Sequence, residues 1–481
     1  MRSTKIVATL GPASDALIEA LMAAGVDVFR INFSHGSPAE HEKRIAEVRR
    51  AAKKLGRFVA IMADLQGPKI RIRGFSGKDS VNLKTGAEFR ICRHLGESEG
   101  DASQVGTSYP DLIDEVQPGD VLVLGDGLIE LEVKNTRAQC IECCVLAGGE
   151  LGARKGINKR GGGLSAPALT EKDREDLAFA CGQGVDYIAV SFPRVAADME
   201  TARSLIRQQG ASCGLIAKLE RAEAVNDADT LDGLIMASDA VMVARGDLGI
   251  EIGDAALMGA QKHIISRASE LNRSVITATQ MMESMITHAR PTRAEVMDVS
   301  NAVLDGTDAV MLSAETAVGR FPVEAVTSMV EVIEGAESSV YSLRSKLLTY
   351  PCSAIDESIA LAAMTVAETL TRVRAVACLT SSGNTPRLMS RTRSPLPIYA
   401  LADKPGTLAR IALFRGVHPV LFETDKLDYE FIDIAAISWL QQNGAIRVGD
   451  RIILSKGDQR NVEGGTNTLK VIDVTEKGSH P

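Results

Sequence analysis

The sequence of 481 residues contains no apolar run that approaches about 18 residues, the length that a membrane-spanning helix needs. We therefore exclude a membrane span. An excess of basic residues is also absent, because 54 Lys and Arg are outnumbered by 62 Asp and Glu, and the net charge of -8 argues against nucleic acid as the main partner. The N-terminal region offers a short apolar stretch, residues 6–10, which does not make a signal peptide, so a cytoplasmic protein is expected.

The sequence also lacks a complete set of metal-binding cysteines. Among eight cysteines, Cys140, Cys143 and Cys144 include one Cys-x-x-Cys, but no second pair or His-x-x-x-His motif completes a zinc site. Reduced thiols in the core and strands are the expected state. No Ser-His-Asp set and no histidine placed as an obvious general base are visible, so nucleophilic catalysis is not predicted.

Apolar, β-branched runs recur along the chain, and most are followed by a segment with helical periodicity. Continuous runs of this kind are typical of strands buried on both faces. Capping boxes at Ser37 and Thr170 mark two of the helix starts. Eight strand-helix units predict a (β/α)8 or TIM barrel. The predicted strands are residues 5–10, 26–34, 59–65, 187–192, 214–220, 240–248, 274–281 and 309–316.

Two further domains are predicted around this α/β barrel, which itself is assigned to residues 1–68 and 168–343. Roughly 120 residues separate the third and fourth strands, far more than a crossover helix needs. Their glycines and alternating patterns predict a small β-barrel domain at residues 69–167, inserted as a lid over the barrel mouth. The pattern changes again near the C-terminus, where residues 344–481 predict an open α/β domain.

Polar side chains terminate most of the predicted barrel strands, at the end where TIM barrels carry their active sites. Strand five supplies Lys218 and Glu220 on one face, and strand six supplies Asp247. Two carboxylates beside a lysine indicate a hard divalent cation next to a fixed positive charge, although a surface ion pair and a helix-capping Asp are the structural alternative. The other polar strand ends are Arg30, Asn32, Ser34, Asp64, Ser191, Thr277, Thr279, Ser313 and Glu315.

The charges of this predicted mouth suit phosphoryl chemistry. Arg30, Arg71 and Lys218 would hold a phosphoryl group, and Glu220 with Asp247 would hold Mg²⁺. The Arg-Gly-Asp turn at residues 245–247 offers a seat for a small carboxylate if a helix begins there. Positioning and charge neutralisation are therefore expected to dominate catalysis.

In its sequence blocks the chain closely resembles the pyruvate kinase family, and the match runs over essentially the whole chain. The resemblance implies Mg²⁺-dependent transfer of the phosphoryl group of phosphoenolpyruvate to ADP, which yields ATP and pyruvate. It also implies a homotetramer. The blocks are TKIVATLGPAS, RINFSHGS, DLQGPKIR, KGINKRGGGLS, AKLERAEAV, MVARGDLGIEIG, ITATQMMESMI, PTRAEVMDVSNAVLDGTDAVMLSAET and GGTNTL.

The resemblance implies roles for residues at the mouth. Lys218 would stabilise the phosphoryl group in flight, while Glu220 and Asp247 ligate Mg²⁺. Arg30 would grip phosphoenolpyruvate, and the backbone of Gly246 and Asp247 would take its carboxylate.

Further roles concern proton delivery and the nucleotide. Thr279 would lie beside the enolate carbon where the proton arrives, and Ser313 would belong to the proton relay. The positions that match nucleotide contacts in the family are Asn32, His35, Arg71 and Lys155.

One departure concerns potassium. Many members of the family hold K⁺ at groups matching Asn32, Ser34, Asp64 and the carbonyl of Leu65, and those that need it usually carry Glu where this chain has Lys69. An ammonium at Lys69 would take the place of the monovalent cation. The sequence thus predicts activity independent of K⁺; the alternative is a surface lysine at a domain hinge.

The C-terminal domain resembles the effector domain of the family. A hydroxyl-rich turn before a helix would cradle a phosphate with hydroxyls and backbone amides. Asn384 stands where activator phosphates often meet a basic residue, which weakens the case for a bisphosphate, so a sugar monophosphate or AMP is at least as plausible an effector. The predicted effector loop comprises Thr380, Ser381, Ser382, Gly383, Asn384 and Thr385.

Two rival functions stay open on the sequence. A lyase or aldolase that forms pyruvate enolate on Mg²⁺ would need no ADP and no lysine from the lid. A catalytically silent sugar-phosphate sensor would be expected to lose Lys218, Glu220 or Asp247, and all three are present.

Overall fold

The computed structural model describes residues 2–339, 352–428, 431–459 and 462–475. Eight parallel strands close into a barrel in which each strand pairs with the next, and the eighth pairs with the first. The (β/α)8 prediction is confirmed. The barrel strands, called one to eight below, are Lys5–Thr9, Val28–Asn32, Ala60–Asp64, Tyr187–Val190, Gly214–Leu219, Ala240–Ala244, Ser274–Ala278 and Ala309–Leu312.

Helices surround the barrel and bury their apolar faces on it. The helix Pro38–Leu55 begins at the predicted capping box, where the Ser37 hydroxyl accepts a hydrogen bond from the backbone of Glu40, and it ends at Gly56 in the left-handed conformation. The other helices of this layer are Ile18–Ala24, Glu171–Gly182, Ala196–Gln208, Glu223–Asn226, Ala228–Ala237, Arg245–Ile252, Asp254–Glu270, Arg293–Asp305, Ala314–Ala317 and Pro322–Glu337, with a 3₁₀ turn at Glu283–Ile286.

Alternation along the strands decides which side chains reach the mouth. Val28, Met62 and Ile216 fill the barrel interior, so the next inward positions at the C-terminal ends are occupied by polar residues of the site. On strand seven, however, Val275 packs on the helix layer. Thr277 faces the same way, and its hydroxyl donates a hydrogen bond of 2.9 Å to Thr307. The placement of Thr277 in the mouth is therefore wrong.

Strand six is shorter than the sequence pattern suggests. It ends at Ala244, and the helix Arg245–Ile252 starts at once, so Asp247 lies in the first helical turn rather than on the strand. The apolar run 240–248 continues through both elements, which is why the pattern could not separate them.

The insertion after strand three folds as two antiparallel-rich sheets around one core. Ladder hydrogen bonds define a two-stranded and a six-stranded sheet, and residues of both, such as Val81 and Phe89, pack together. The sequence predicted a small β-barrel here, and the structure shows a separate β domain made of these two packed sheets. Its strands are Ser80–Leu83, Glu88–Cys92, Gln104–Gly106, Val121–Leu124, Ile129–Arg137, Cys140–Ala147, Gly149–Gly152 and Ile157–Lys159, with one short helix, Leu112–Glu115.

Two cysteines of the insertion form a disulfide, Cys92–Cys140, which the expectation of reduced thiols missed. The two residues lie directly opposite each other on neighbouring antiparallel strands, with Cα atoms 4.0 Å apart. Cys143 and Cys144 of the same strand carry free thiols.

The C-terminal domain is an open five-stranded sheet with helices, as predicted. Four strands run parallel and the last, Thr466–Asp473, pairs antiparallel with Arg451–Gly457. The predicted boundary between residues 343 and 344 lies outside the described residues. The remaining strands are Val373–Leu379, Ile398–Ala402 and Val417–Leu421, and the helices are Ile355–Thr369, Asn384–Ser390, Pro405–Ile411 and Ile432–Gln442, with a 3₁₀ turn at Thr424–Lys426.

The C-terminal domain packs against the N-terminal ends of the barrel strands, opposite the mouth. Asp308, just before strand eight, forms a buried ion pair with Arg391. The Lys5 ammonium donates to the carbonyl of Val417 at 2.6 Å. Apolar residues of the barrel interior and this domain form one continuous cluster, so the seam between them is a packed core. Within the described residues, no helix combines the length and apolar character that crossing a bilayer requires.

Candidate active site

Lys218 lies at the centre of the mouth, where strand five ends. Its ammonium is 2.9 Å from Glu220 Oε1 and 3.2 Å from Asp64 Oδ1, and it donates to the Ser191 hydroxyl at 2.7 Å. Burial opposes the charged form, but the carboxylates of Asp64 and Glu220 raise the pKa of Lys218 above its ordinary value. The ammonium is therefore a fixed positive charge at neutral pH.

Glu220 and Asp247 place negative charge on the same rim. Glu220 is 2 % exposed, and its second oxygen accepts the backbone N–H of Phe192 at 2.9 Å. Burial raises the pKa of Glu220 to about 7, because lost solvation and the nearby charge of Asp247 outweigh the attraction of Lys218. Burial likewise raises the pKa of Asp247. The two carboxylates thus repel each other, and a cation between them would remove that repulsion.

Arg30 reaches the mouth from strand two and shares a carboxylate with Lys218. Its Nε donates to Asp64 Oδ2 at 2.6 Å, and its Nη1 donates to the Thr9 hydroxyl at 3.0 Å. Burial opposes ionisation of Asp64, but Lys218 and Arg30 lower the pKa of Asp64. Asp64 therefore aligns two cations on one side of the mouth. Sequence reasoning missed Thr9, although it ends strand one at the same level.

Thr279 lies against the start of the helix that carries Asp247. The Gly246 N–H donates to the Thr279 hydroxyl at 2.9 Å, and this hydroxyl donates to the carbonyl of Ala278. Thr279 adopts φ 69°, a conformation that costs energy and is common at functional sites. Arg245 holds this conformation by donating to the Thr279 carbonyl at 2.7 Å, a role the sequence reasoning missed although the residue stands beside the Gly246–Asp247 pair.

Lys69 lies in the group of residues predicted to bind a monovalent cation. Its ammonium donates to the Ser34 hydroxyl at 3.0 Å, while the Asn32 side chain accepts from the Ser34 backbone at 3.0 Å. The Leu65 carbonyl accepts from Ser191 at 2.7 Å, beside Lys218. Burial and the positive charges of Lys218 and Arg71 lower the pKa of Lys69, whereas Asp247 and Asp64 raise it. The lysine is therefore not a free surface residue.

A cleft of about 510 Å³ lies between the barrel mouth and the inserted domain. It is lined by three of the four predicted nucleotide residues, His35, Arg71 and Lys155, together with Lys69 and Asp247. Partial burial and the nearby charges of Lys69, Arg71 and Arg30 lower the pKa of His35. The cleft is positively charged and has the volume of a ligand site. Charged lining residues that the sequence reasoning missed are Asp126, Arg154, Arg221 and Glu251.

Asn32 and Ser313 are among the predicted site residues that do not line this cleft. Asn32 points to Ser34 rather than into the cleft. Ser313 follows strand eight at the mouth, with its backbone N–H donating to Glu315 Oε2 at 2.7 Å. Glu315 also accepts from the backbone of Met282, so it ties together the loops after strands seven and eight.

The predicted effector loop follows the strand Val373–Leu379 in the C-terminal domain. Thr380 accepts the Gly383 N–H at 2.9 Å, and Asn384 donates to Asp356 at 2.7 Å. The loop borders a cavity of about 70 Å³ that also contacts Lys456, a basic residue that sequence reasoning missed and that is ion-paired with Asp433 at 2.7 Å. Loop residues bordering this cavity are Thr380, Ser381, Ser382, Asn384 and Thr385.

Comparison with known proteins agrees with this geometry. Residues 1–326 match the family model "Pyruvate kinase, barrel domain", and residues 357–472 match "Pyruvate kinase, alpha/beta domain". The chain belongs to the pyruvate kinase family. The chain is therefore a pyruvate kinase, which is a phosphotransferase of glycolysis. This confirms what the resemblance in the sequence implied.

Individual pyruvate kinases are similar over nearly the whole chain. The chain is 50% identical over 477 residues to pyruvate kinase II of Salmonella typhimurium, covering 98% of this chain and 99% of that one. It is 49% identical over 479 residues to the pyruvate kinase of Haemophilus influenzae, with the same coverage. The crystal structure of a pyruvate kinase from Cryptosporidium parvum superposes with a TM-score of 0.90 at 33% identity, covering 98% of this chain and 96% of that one.

Proposed function

We propose that the mouth transfers the phosphoryl group of phosphoenolpyruvate to ADP and so forms ATP and pyruvate with Mg²⁺. The observation that carries this proposal is the convergence of Lys218 and Arg30 on Asp64, with Glu220 and Asp247 on the same rim. Two fixed cations suit a phosphoryl group, and two buried carboxylates suit a hard divalent cation.

The carboxylates of Glu220 and Asp247 fit Mg²⁺, which is held by one or two carboxylates together with substrate oxygens and water. Glu220 and Asp247 would hold the cation, which would supply charge neutralisation for the enolate and the phosphoryl group. Glu220 is pre-oriented for this role by the Phe192 N–H and by Lys218.

The side chains of the mouth would divide the work on the substrate. Arg30, held by Asp64 and Thr9, would bind the phosphate of phosphoenolpyruvate. The start of the helix Arg245–Ile252 would seat its carboxylate. Lys218 would stabilise the phosphoryl group in flight, an interaction of about 4 kcal/mol at roughly 4 Å and an effective dielectric near 20.

We assign proton delivery to the enolate carbon to the side of the mouth on which Thr279 lies. Its hydroxyl is fixed between Gly246 and Ala278, next to the proposed carboxylate seat. Ser313, at the end of strand eight, would extend the relay.

The cleft of about 510 Å³ is the proposed site of ADP. His35 from the barrel and Arg71 and Lys155 from the inserted domain line it, and Asn32 is proposed to contribute at its edge. Because Arg71 and Lys155 both belong to the inserted domain, we infer that this domain acts as a lid that completes the nucleotide site on closure.

We further propose that Lys69 replaces K⁺ at the pocket of Asn32, Ser34, Asp64 and Leu65. Support comes from the 3.0 Å contact of the ammonium with Ser34 and from its interaction with Asp64. Turnover in Tris salts is expected to be the same with and without KCl at matched ionic strength. A large stimulation by KCl would contradict this role.

A coupled assay that follows pyruvate through lactate dehydrogenase tests the reaction itself. Pyruvate should form from phosphoenolpyruvate when both ADP and Mg²⁺ are present, and EDTA should abolish it. Pyruvate formation without ADP would favour the lyase or aldolase alternative instead.

Regulation and assembly are proposed from the family resemblance. We propose activation by a sugar monophosphate or AMP at the loop Thr380–Ser381–Ser382–Gly383–Asn384–Thr385, and a homotetramer in solution. Titration of sugar phosphates and AMP at low phosphoenolpyruvate tests the first proposal, and light scattering tests the second.

A further inference from the structure

Three side chains of the inserted domain that suit a soft metal ion lie together at its surface. The sulfurs of Cys92 and Cys140 and a ring nitrogen of His94 all lie within 4.8 Å of one another. Both cysteines are buried, whereas His94 is exposed. This group, called the thiol–imidazole cluster below, does not line the cleft of about 510 Å³, so it is separate from the candidate active site.

The strand register of the inserted domain brings these three side chains together. Cys92 ends one strand and lies directly opposite Cys140, which begins another. Ala138 and Gln139 precede the second cysteine with φ of 46° and 63°, values that are typical of the tight turn of a β-hairpin. His94 follows Cys92 by two residues, the spacing that returns a side chain to the same face of an extended chain.

The Cys-x-x-Cys motif of the sequence is not the pair that forms this cluster. Side chains three residues apart on a strand point to opposite faces, so Cys143 faces away from Cys140. Cys143 accordingly packs in the core of the inserted domain, whereas Cys92 and Cys140 form a small separate cluster with Leu95. The contact with Leu95 shields the sulfurs from water, and the exposed side chain of His94 leaves a path for an ion from solution.

The backbone that carries His94 is held on both sides. The Arg93 N–H donates to the carbonyl of Gln139 at 2.9 Å, next to the second cysteine. The carbonyl of Leu95 accepts a hydrogen bond from Arg73 at 3.2 Å. Within the described parts of the chain, the ring of His94 has no hydrogen-bond or ion-pair partner of its own. The imidazole is therefore positioned beside the sulfurs while its nitrogens stay available to a ligand.

The chemistry of the three ligand atoms suits a thiophilic divalent cation. Two thiolates and one imidazole, with water in the fourth position, form a known ligand set of tetrahedral zinc. Zinc–sulfur bonds of about 2.3 Å place the two sulfurs about 3.8 Å apart, a separation that side chains on directly opposed strand residues can reach. Two thiolates also neutralise a divalent charge, which offsets the cost of ionising buried sulfurs.

We propose that the thiol–imidazole cluster is a redox-controlled site for a thiophilic divalent cation such as Zn²⁺. In the structure the two sulfurs form the disulfide Cys92–Cys140, a state that cannot bind a metal as thiolates. Disulfides are rare where glutathione keeps thiols reduced, and a dithiol would open this one by giving it two electrons and two protons and becoming a disulfide itself. The cation then binds to both sulfurs and to His94, and the two thiol protons are released. The site is independent of phosphoryl transfer.

Titration of the full chain with Co²⁺ tests the proposal, because thiolate ligands give this zinc substitute an intense charge-transfer absorption that carboxylate ligands do not. The chain is reduced with dithiothreitol, separated from it without air, and titrated. We expect a saturable thiolate absorption that added Zn²⁺ removes, and C92S and C140S should lack it. H94Q should bind Co²⁺ about tenfold or more weakly, since loss of a ligand costs at least as much as loss of a group that orients one. Because His94 is exposed, this variant tests the site even if a cysteine variant fails to fold.

Two matched variants and a thiol count complete the test. C143S and C144S remove the other two thiols of the strand Cys140–Ala147 and should bind Co²⁺ like the wild type. Counted in denaturant, the oxidised chain should give six thiols and the reduced chain eight. The proposal is overturned if six thiols remain after reduction of the folded chain, or if the reduced wild type shows no thiolate absorption. It is equally overturned if C92S or C140S keeps that absorption, if C143S or C144S loses it, or if H94Q binds as tightly as the wild type.

Discussion

We predict that replacing Lys69 with Glu makes turnover depend on K⁺, because Lys69 is proposed to take the place of that cation. The ammonium lies 3.0 Å from Ser34 and interacts with Asp64 and Asp247. The substitution changes the local charge by two and adds a carboxylate to a rim that already holds several. The positive charge that Lys69 is proposed to provide would then have to come from a K⁺ ion bound from solution.

The expected magnitude follows from Coulomb's law. One unit charge at roughly 5 Å and an effective dielectric near 20 contributes about 3 kcal/mol. Loss of that contribution to the transferred phosphoryl group corresponds to about a hundredfold in turnover. We expect K69E to lose at least about a hundredfold in kcat/KM without K⁺, and KCl to restore most of it.

The assay is the coupled measurement of pyruvate in Tris chloride or KCl at matched ionic strength. K69M is the matched control, because it loses the ammonium without gaining a carboxylate, so its activity should be low and should respond little to KCl. Full activity of K69E in Tris chloride, or equal KCl rescue of K69M, would refute the reasoning.

Three further predictions address the core of the site and the fold. K218M should lower kcat by about a thousandfold, since about 4 kcal/mol is lost, while phosphoenolpyruvate binding measured by fluorescence titration stays largely intact; near-normal turnover would disprove the role. T9V removes the 3.0 Å acceptor of Arg30, so KM for phosphoenolpyruvate should rise several-fold with little change in kcat, and an unchanged KM would count against it. Burial and the charge of Lys5 lower the pKa of His418 to about 3 from an ordinary 6.5. The folded chain therefore keeps the ring neutral while the unfolded chain gains a proton, so stability from this residue is complete above pH 6.5 and is lost as pH falls toward 3. The melting temperature of H418Q should accordingly fall less between neutral pH and pH 5 than that of the wild type.

The sequence predicted the barrel well because buried parallel strands must be apolar, and all eight runs became strands. Period-two alternation placed Lys218 and Glu220 together, and the 2.9 Å ion pair confirms it. The same rule failed for Thr277, because alternation alone does not tell the interior face from the helix-facing one.

Other features required partners that lie far apart in the chain. Cys92 and Cys140 meet through a strand register that depends on the turns of the inserted domain. The lining of the cavity of about 630 Å³ between the barrel and the C-terminal domain draws on residues from 187 to 464, and no local pattern marks it. Contacts of this type depend on how separate helices and strands pack together. Local sequence patterns do not predict that packing.

The ion pair between Asp308 and Arg391 bears on whether the catalytic barrel is separable. Each residue is 2 % exposed, and Asp308 also accepts the backbone N–H groups of Val275 and Arg415. Excising the C-terminal domain would remove this guanidinium and the Arg415 N–H from the carboxylate of Asp308 and expose to water the apolar surface that the two domains share. A version of the chain without the C-terminal domain would therefore need polar replacements on the barrel surface that this domain now covers.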